Sequence, residues 1–279
     1  MNQADPVQEH YTIEEMPARI ENALLQAGFG SGQIGWSELS LLDQFHVRGL
    51  GATKELAEGL GLTEGESVLD VGSGLGGPAR YLAAVHGCNV TGIELTPIFV
   101  EIADKLSART GLSDRLRFVQ GNALDMPFAS DSFDHAWTQH VAMNIQDKNR
   151  LYQEIHRVLK KGGRFAIYDV VKGENEPVIY PVPWAHDAGI SFLVTPSEMV
   201  QALRAAGFRE VSTVDTTDLA LSWFAEFQRA QQAPGGINPV NLAIAMGPDA
   251  KQRTENLSRN IKEGRVRLLQ VIVQKDEGM

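Results

Sequence analysis

The run VLDVGSGLGGPARYLA, residues 68–83, packs four glycines and one carboxylate into a stretch that reads as strand, turn and helix. Two spacings overlap in it. Gly72, Gly74 and Gly77 form G-x-G-x-x-G, the turn that lets a pyrophosphate approach the backbone at a helix N-terminus. Asp70, Gly72, Gly74 and Gly76 form D-x-G-x-G-x-G, which needs no phosphate and sets a carboxylate beside the ligand.

The first spacing suits a dinucleotide. The second suits a cofactor with a cationic amino-acid end, such as S-adenosylmethionine, whose ammonium Asp70 meets directly or through water. Glu94 lies about twenty residues beyond the glycines, where an acidic side chain can take both hydroxyls of a ribose, with Leu95 beside it. Dinucleotide sites use the same device, so Glu94 leaves both readings open. In VQGNALDMPF, Asn122, Ala123 and Leu124 follow the third strand and can reach an adenine edge, and FDHAWTQHVAMNI closes the fourth strand in Gln139 and His140.

The elements that must carry these residues follow from periodicity. Strands are expected at Ser67–Val71, Val90–Leu95, Leu116–Gln120, Phe133–Thr138 and Arg164–Val170, with helices at Pro78–Val85, Pro97–Arg109 and Lys148–Leu159. This alternation means a parallel sheet covered on both faces, with ligands at the carboxyl ends of its strands. KKGG, residues 160–163, reads as a helix stop and a tight entry into the next strand. Further on, Thr195 caps a helix, TPSEMVQALRAAGF, ahead of a strand, REVSTVDT, and the final strand is VRLLQVIVQK. Between those two strands, LSWFAEFQRA and DAKQRTENLSRNIKEG read as helices of an insertion that covers a site or makes an oligomer contact.

A chain of 279 residues, 43% hydrophobic, can bury a sizeable α/β core. A net charge of -10 with no basic run argues against a nucleic-acid partner. The opening MNQADPVQEHYTIEEMPARI lacks the pattern of a signal peptide, and no stretch has the apolar length of a membrane span, so a cytoplasmic protein is expected. Cys88, the one cysteine, reads as a small buried hydrophobe, and the seven histidines show no ligand spacing, so no metal is expected.

VLDVGSGLGG, GIEL, GNALDMPF, SFDHAW and RVLKKGGRF, taken in order, resemble the class I S-adenosylmethionine-dependent methyltransferases from about Gly61 to Asp215. The resemblance favours the methyl donor over the dinucleotide. It implies a doubly wound, mostly parallel seven-stranded sheet whose last strand is antiparallel to its neighbours. The expected organisation is a helical head (1–60), a donor-binding core (61–217), a helical insertion or lid (218–265) and the last core strand (266–279). Asp70, Gly72, Gly74, Gly76, Glu94, Leu95, Asn122, Ala123, Leu124 and Gln139 are then the donor-binding residues. A dehydrogenase would use a Tyr-x-x-x-Lys pair, but YDVVK, residues 168–172, runs off the end of an expected strand, and only a helix would bring the two side chains together.

The flanks LLDQFHVRGLGATKELAEGLGL and YPVPWAHDAG resemble the sarcosine/dimethylglycine methyltransferase branch, and also natural-product and quinone-type enzymes. This implies a small-molecule acceptor, a small amine first, held by Gln44, His46, Arg48, Met143, Asn144, Trp184 and His186, in a chain that can form a homodimer. An amine needs no base, and Trp184 would face its growing charge; a phenol or acidic carbon would need a base such as His46 or His140. Each has an ordinary reading too: His46 as a helix cap, Trp184 as core, Arg48 as a surface cation. A protein that binds the donor without turning it over is the non-enzyme alternative.

Overall fold

The computed structural model describes residues 4–13, 15–175, 177–231 and 238–276. Four helices form the head: α1 (Ala4–Tyr11), α2 (Met16–Gln26), the short α3 (Ser40–Asp43) and α4 (Leu50–Leu60). The core then alternates β1 (Ser67–Val71), α5 (Gly77–His86), β2 (Asn89–Glu94), α6 (Pro97–Arg109), β3 (Leu116–Gln120), β4 (Phe133–Gln139), α7 (Lys148–Val158) and β5 (Leu159–Lys172). After α8 (Pro196–Ala205) and β6 (Phe208–Asp215), the insertion supplies α9 (Thr217–Gln231), α10 (Ala243–Met246) and α11 (Ala250–Lys262) before β7 (Val266–Lys275).

The seven strands form one sheet in the order β3-β2-β1-β4-β5-β7-β6. The first five are parallel, and β7 runs antiparallel to both β5 and β6. Alternation along the strands divides the core. Val68, Val90, Ala166, Tyr168 and Leu268 pack on one face with α4, α5 and α11, while Leu69, Ile93, Phe165, Ile167 and Val271 pack on the other with α7 and α8. A third cluster joins Met16, Ile20 and Leu24 of the head to Phe99 and Ile102 of α6 and to Val240 and Ala245 of the insertion.

Several boundaries move by a residue or two from the sequence expectation, and the start of β5 moves by more. KKGG stays in the sheet, and β5 starts at Leu159, paired with Phe133. The register shifts between Phe133 and His135, and Gly162 takes φ 76°, so the tight entry is a bulge that preserves the pairing. Thr195 does cap α8: its hydroxyl accepts from the Glu198 N–H at 3.3 Å, and Glu198 Oε2 accepts from the Thr195 N–H at 2.7 Å.

The head is tied to the core by a buried ion pair, Arg80 Nη2 on α5 to Asp43 Oδ2 at 2.8 Å. Nη1 of Arg80 also donates to Ser107 Oγ at 3.1 Å, which brings α3, α5 and α6 to one point. Gly77 permits this approach, because a Cβ there would lie 2.3 Å from the Asp43 carbonyl oxygen. No helix among the described residues is long and apolar enough to cross a membrane.

Candidate functional site

β1 ends at Val71, and the chain turns through three left-handed glycines, Gly72 (φ 73°), Gly74 (φ 52°) and Gly76 (φ 78°). They do different things. A Cβ on Gly72 would meet Val141 at 2.4 Å, so that glycine lets the loop after β4 close over the turn. A Cβ on Gly76 would meet Phe118 at 2.7 Å, a packing constraint at the N-cap of α5. At Gly74 nothing lies within 4 Å: its Cα faces open space.

That space is a deep cavity at the carboxyl ends of β1, β2 and β4, roofed by the head and the insertion. Its wall includes Asp70, Gly72, Gly74, Glu94, Leu95, Asn122, Ala123, Leu124 and Gln139 from the core, and His46, His140, Met143, Asn144 and Trp184 from the flanking segments. Gly76, Gln44, Arg48 and His186 are not part of it. Gly76 packs against Phe118, and Gln44 lies behind His46, its Oε1 accepting from the Thr53 hydroxyl at 2.6 Å. Arg48, with φ 68°, is ion-paired to Glu55 of α4. His186 is exposed and meets Arg253 Nη2 through Nε2 at 2.9 Å.

Glu94 is buried at the end of β2, where burial raises its pKa. Each of its oxygens takes one backbone N–H, Oε2 from Gly74 and Oε1 from Thr96, both at 2.9 Å. The carboxylate thus holds the glycine turn while keeping two lone pairs for a ligand. Asp70 is deeper: burial pushes its pKa up to about 7, with Glu94 adding like charge, and its Oδ2 finds no partner among the described residues. Ser73 Oγ, Asp43 Oδ1, Gln139 Nε2 and His140 Nε2 on the same wall are also buried without partners. Native interiors rarely leave such atoms unpaired, and those that line the cavity are open to a polar ligand. Acidic oxygens at the glycine turn fit a cationic amino-acid end, and Glu94 fits a ribose, which is the donor set S-adenosylmethionine requires.

The same cavity carries two histidines, His46 and His140. His46 Nε2 lies 3.0 Å from the Gly49 carbonyl and 3.0 Å from Thr53 Oγ1. Its ring centroid is 6.0 Å from that of His140, which tilts over Tyr168 at 4.8 Å. His140 has φ 55°, an uncommon backbone for a non-glycine residue. Burial lowers the pKa of His46 to about 4 and that of His140 well below its ordinary value, so both imidazoles are uncharged at neutral pH.

Asn144 lines the cavity and also makes bonds within the fold. Its Oδ1 accepts from the Tyr11 hydroxyl at 2.9 Å, and Nδ2 donates to the carbonyls of Trp184 and Ile190, each at 2.8 Å. Both amide hydrogens are thus spent in joining α1 to the segment after β5, and one lone pair of Oδ1 remains. Trp184 is 1% exposed, with Nε1 donating to Ser191 Oγ at 2.9 Å. His135 faces Glu66 at 3.4 Å, and His156 stacks edge-on to Phe208 at 5.0 Å, both away from the cavity.

Sequence reasoning missed Tyr11, Phe45, Phe99, Trp223, Phe224, Leu242, Met246, Thr254 and Leu257, all in the wall. The aromatic run in LSWFAEFQRA was the available signal for Trp223 and Phe224. Among the described residues no group of three or more His, Cys, Asp or Glu is placed to hold a metal ion.

The methyltransferase domain family matches residues 69–167. A sterol 24-C-methyltransferase of Pneumocystis carinii (strain B80) is 33% identical over 172 residues, 59% of this chain and 46% of that protein. The chain therefore spans about half the length of such curated relatives. Geranyl diphosphate C-methyltransferase from Streptomyces coelicolor A3(2), solved with Mg2+, geranyl-S-thiolodiphosphate and S-adenosyl-L-homocysteine, superposes with a TM-score of 0.71 at 17% identity, over 99% of this chain and 98% of that one. A putative sarcosine dimethylglycine methyltransferase from Galdieria sulphuraria superposes with a TM-score of 0.66 at 18% identity, over 94% and 100%. The sarcosine/dimethylglycine branch is thus one of several neighbours and not a distinctive match. Residues 69–167 thus match a methyltransferase domain family, and the chain as a whole shares the fold of methyltransferases solved with S-adenosylmethionine or S-adenosylhomocysteine.

Proposed function

We propose that this chain transfers a methyl group from S-adenosylmethionine to a bulky, largely apolar small molecule that carries a weakly acidic hydroxyl or carbon. The observation that carries the reading is the mixed wall of the cavity, which holds unpartnered atoms of Asp70, Ser73 and Gln139 together with neutral histidines and aromatic side chains.

On the donor side, Glu94 takes the ribose hydroxyls and Asp70 faces the ammonium, directly or through water. Asn122, Ala123 and Leu124 flank the adenine, with Leu95 alongside. Bound there, S-adenosylmethionine supplies a methyl group already activated by the sulfonium. The protein's contribution is alignment and the exclusion of water. On the acceptor side, Phe45, Met143, Trp184, Trp223, Phe224 and Leu257 present apolar surface.

The same wall weighs against the small-amine reading suggested by the flanks. An amino acid such as sarcosine brings a carboxylate, and no Lys or Arg lines the cavity among the described residues. Arg48 is held by Glu55, and Lys148 is turned to the carbonyls of Ile145 and Phe192. An uncharged imidazole keeps a ring lone pair for the proton that a weakly acidic acceptor must lose, though burial makes it a weak base, and the sequence relative named for sterol C-methylation is consistent with an apolar acceptor.

The test is methyl transfer from labelled donor to parallel panels of small amines, phenols or enols on apolar scaffolds, and isoprenoids. Turnover restricted to apolar acceptors with an acidic O–H or C–H supports the proposal. Turnover of sarcosine or dimethylglycine alone restores the amine reading. Tight donor binding with no transfer to any acceptor supports a non-enzymatic donor-binding protein.

A further inference from the structure

Beneath His46 lies a polar knot that the donor and acceptor assignments leave unused. Thr53, on α4, is fully buried, and its Oγ1 lies 2.6 Å from Gln44 Oε1, 3.0 Å from His46 Nε2 and 3.4 Å from Gln139 Oε1. A hydroxyl has one proton to give and two lone pairs to fill. Its nearest acceptor is Gln44 Oε1, so the contact with His46 is satisfied when the imidazole donates. A second constraint agrees whichever way the Gln44 amide is turned. The Gly49 carbonyl, 3.0 Å from the same Nε2, can only accept. Nε2 therefore carries the ring proton, and Nδ1 keeps the lone pair.

Nε2 is turned back into the protein, toward Thr53 and Gly49, while the ring lines the cavity. The other groups around it are His140 and Tyr168, each with ring centroids 6.0 Å away, and Arg48, whose charge is met by Glu55. None of these offers Nδ1 a proton in place of an acceptor.

We propose that Thr53 is a positioning residue: together with the Gly49 carbonyl it locks His46 as the Nε2–H tautomer, so that Nδ1 is the atom that takes the acceptor's proton. The inference rests on the proposed methyl transfer to a proton-bearing acceptor. In that step a bond forms from the acceptor oxygen or carbon to the methyl carbon while the methyl–sulfur bond breaks, its electron pair remaining on sulfur. The proton released by the acceptor passes to His46 Nδ1 and then to solvent.

Thr53→Val keeps the shape and removes the hydroxyl, whereas Thr53→Ser keeps the hydroxyl. Nitrogen-edited NMR of the imidazoles in the full chain, with His46 assigned through His46→Gln, reads the tautomer without any turnover. The expected result is Nε2–H alone in the parent protein and in Thr53→Ser, and a mixture of tautomers in Thr53→Val. With an acceptor that the parent protein methylates, Thr53→Val lowers kcat by about tenfold or more. It also moves the acid limb of the pH profile and leaves the KM for the donor unchanged, and Thr53→Ser restores all three. A folded Thr53→Val protein that keeps the single Nε2–H tautomer and the parent pH profile overturns the positioning role. A parent protein that shows the expected tautomer yet methylates no acceptor overturns the proposed function instead.

Discussion

Replacing Glu94 tests whether the carboxylate that holds the glycine turn also takes the proposed ribose. Its two oxygens each accept one backbone N–H, from Gly74 and Thr96, which leaves one lone pair on each for the two hydroxyls of a ribose. Glu94→Ala removes both ligand contacts and the two ties that shape the glycine turn, although water refills part of the gap. Hydrogen bonds to a buried charged group contribute about 1.5–3 kcal/mol in net terms, so affinity for S-adenosylhomocysteine should fall by about 1–3 kcal/mol, roughly 5- to 150-fold in Kd. Glu94→Gln is no mild control here. Its amide nitrogen must face either the Gly74 or the Thr96 N–H, donor against donor, so the loss should approach that of alanine. Isothermal titration of the folded variants with S-adenosylhomocysteine measures this. Affinity within twofold of the parent in both variants, or a gain of tight NAD binding, refutes the placement of the ribose.

Three further outcomes follow from the same geometry. Gly74→Val has room for its side chain in the ligand-free protein but must adopt φ near 52°, so a melt should show a loss of about 1–2 kcal/mol while donor binding disappears, and retained full affinity means the loop lies elsewhere. Asp70, lifted to about 7 by burial, favours the folded state fully when protonated, below its unfolded value, and that contribution is lost as pH rises toward about 7. Ligand-free stability should therefore decline across that window while affinity for S-adenosylhomocysteine climbs from about pH 6 to about 8, and Asp70→Asn should flatten both curves; an unchanged slope in the variant assigns the titration to another group, such as Asp169. Trp184→Leu removes buried volume and leaves Ser191 Oγ without its donor, so urea unfolding should show a loss of about 2–4 kcal/mol and methyl transfer should drop at unchanged donor affinity; an unaltered midpoint places the ring outside the packed wall.

The core was legible because its determinants are local. Pro78 and Pro97 open helices, the glycines mark a turn, and alternation along LDV and FAIYDV shows which residues face which layer. The cavity's far wall was not legible, since Leu242, Met246 and Leu257 lining a pocket have the same residue types and helical spacing as residues buried in a core. Asp43 and Arg80 are 37 positions apart in sequence and share no pattern, so only the folded chain reveals that they pair. Thr53 sits in an ordinary amphipathic helix, and its importance comes from what the stretch before that helix and the end of β4 set around one oxygen. Asn144 was picked out for its polarity at the end of a strand, but polarity does not disclose that Tyr11, Trp184 and Ile190 already occupy the amide.

The place of β7 in the sheet has a consequence for how the protein comes into being. β5 and β6 do not touch each other; each bonds to β7, and Arg164 finds its partner Gln274 more than a hundred positions away. Until the segment from Val266 to Lys275 arrives, β5 presents a raw, apolar edge between two helix-covered faces, and β6 has no ladder at all. Such an edge is the template on which other chains pair and aggregate, and a contact spanning so much sequence forms slowly. During synthesis the donor-binding half can collapse early, around strands that follow one another closely. The part of the cavity wall supplied by Trp223, Leu242 and Leu257 then depends on the insertion being drawn into place by a strand translated after it. A chain stalled or cut before Val266 would thus hold a nearly formed donor site beside a sticky seam, and it would be a substrate for chaperones before it could act on anything else.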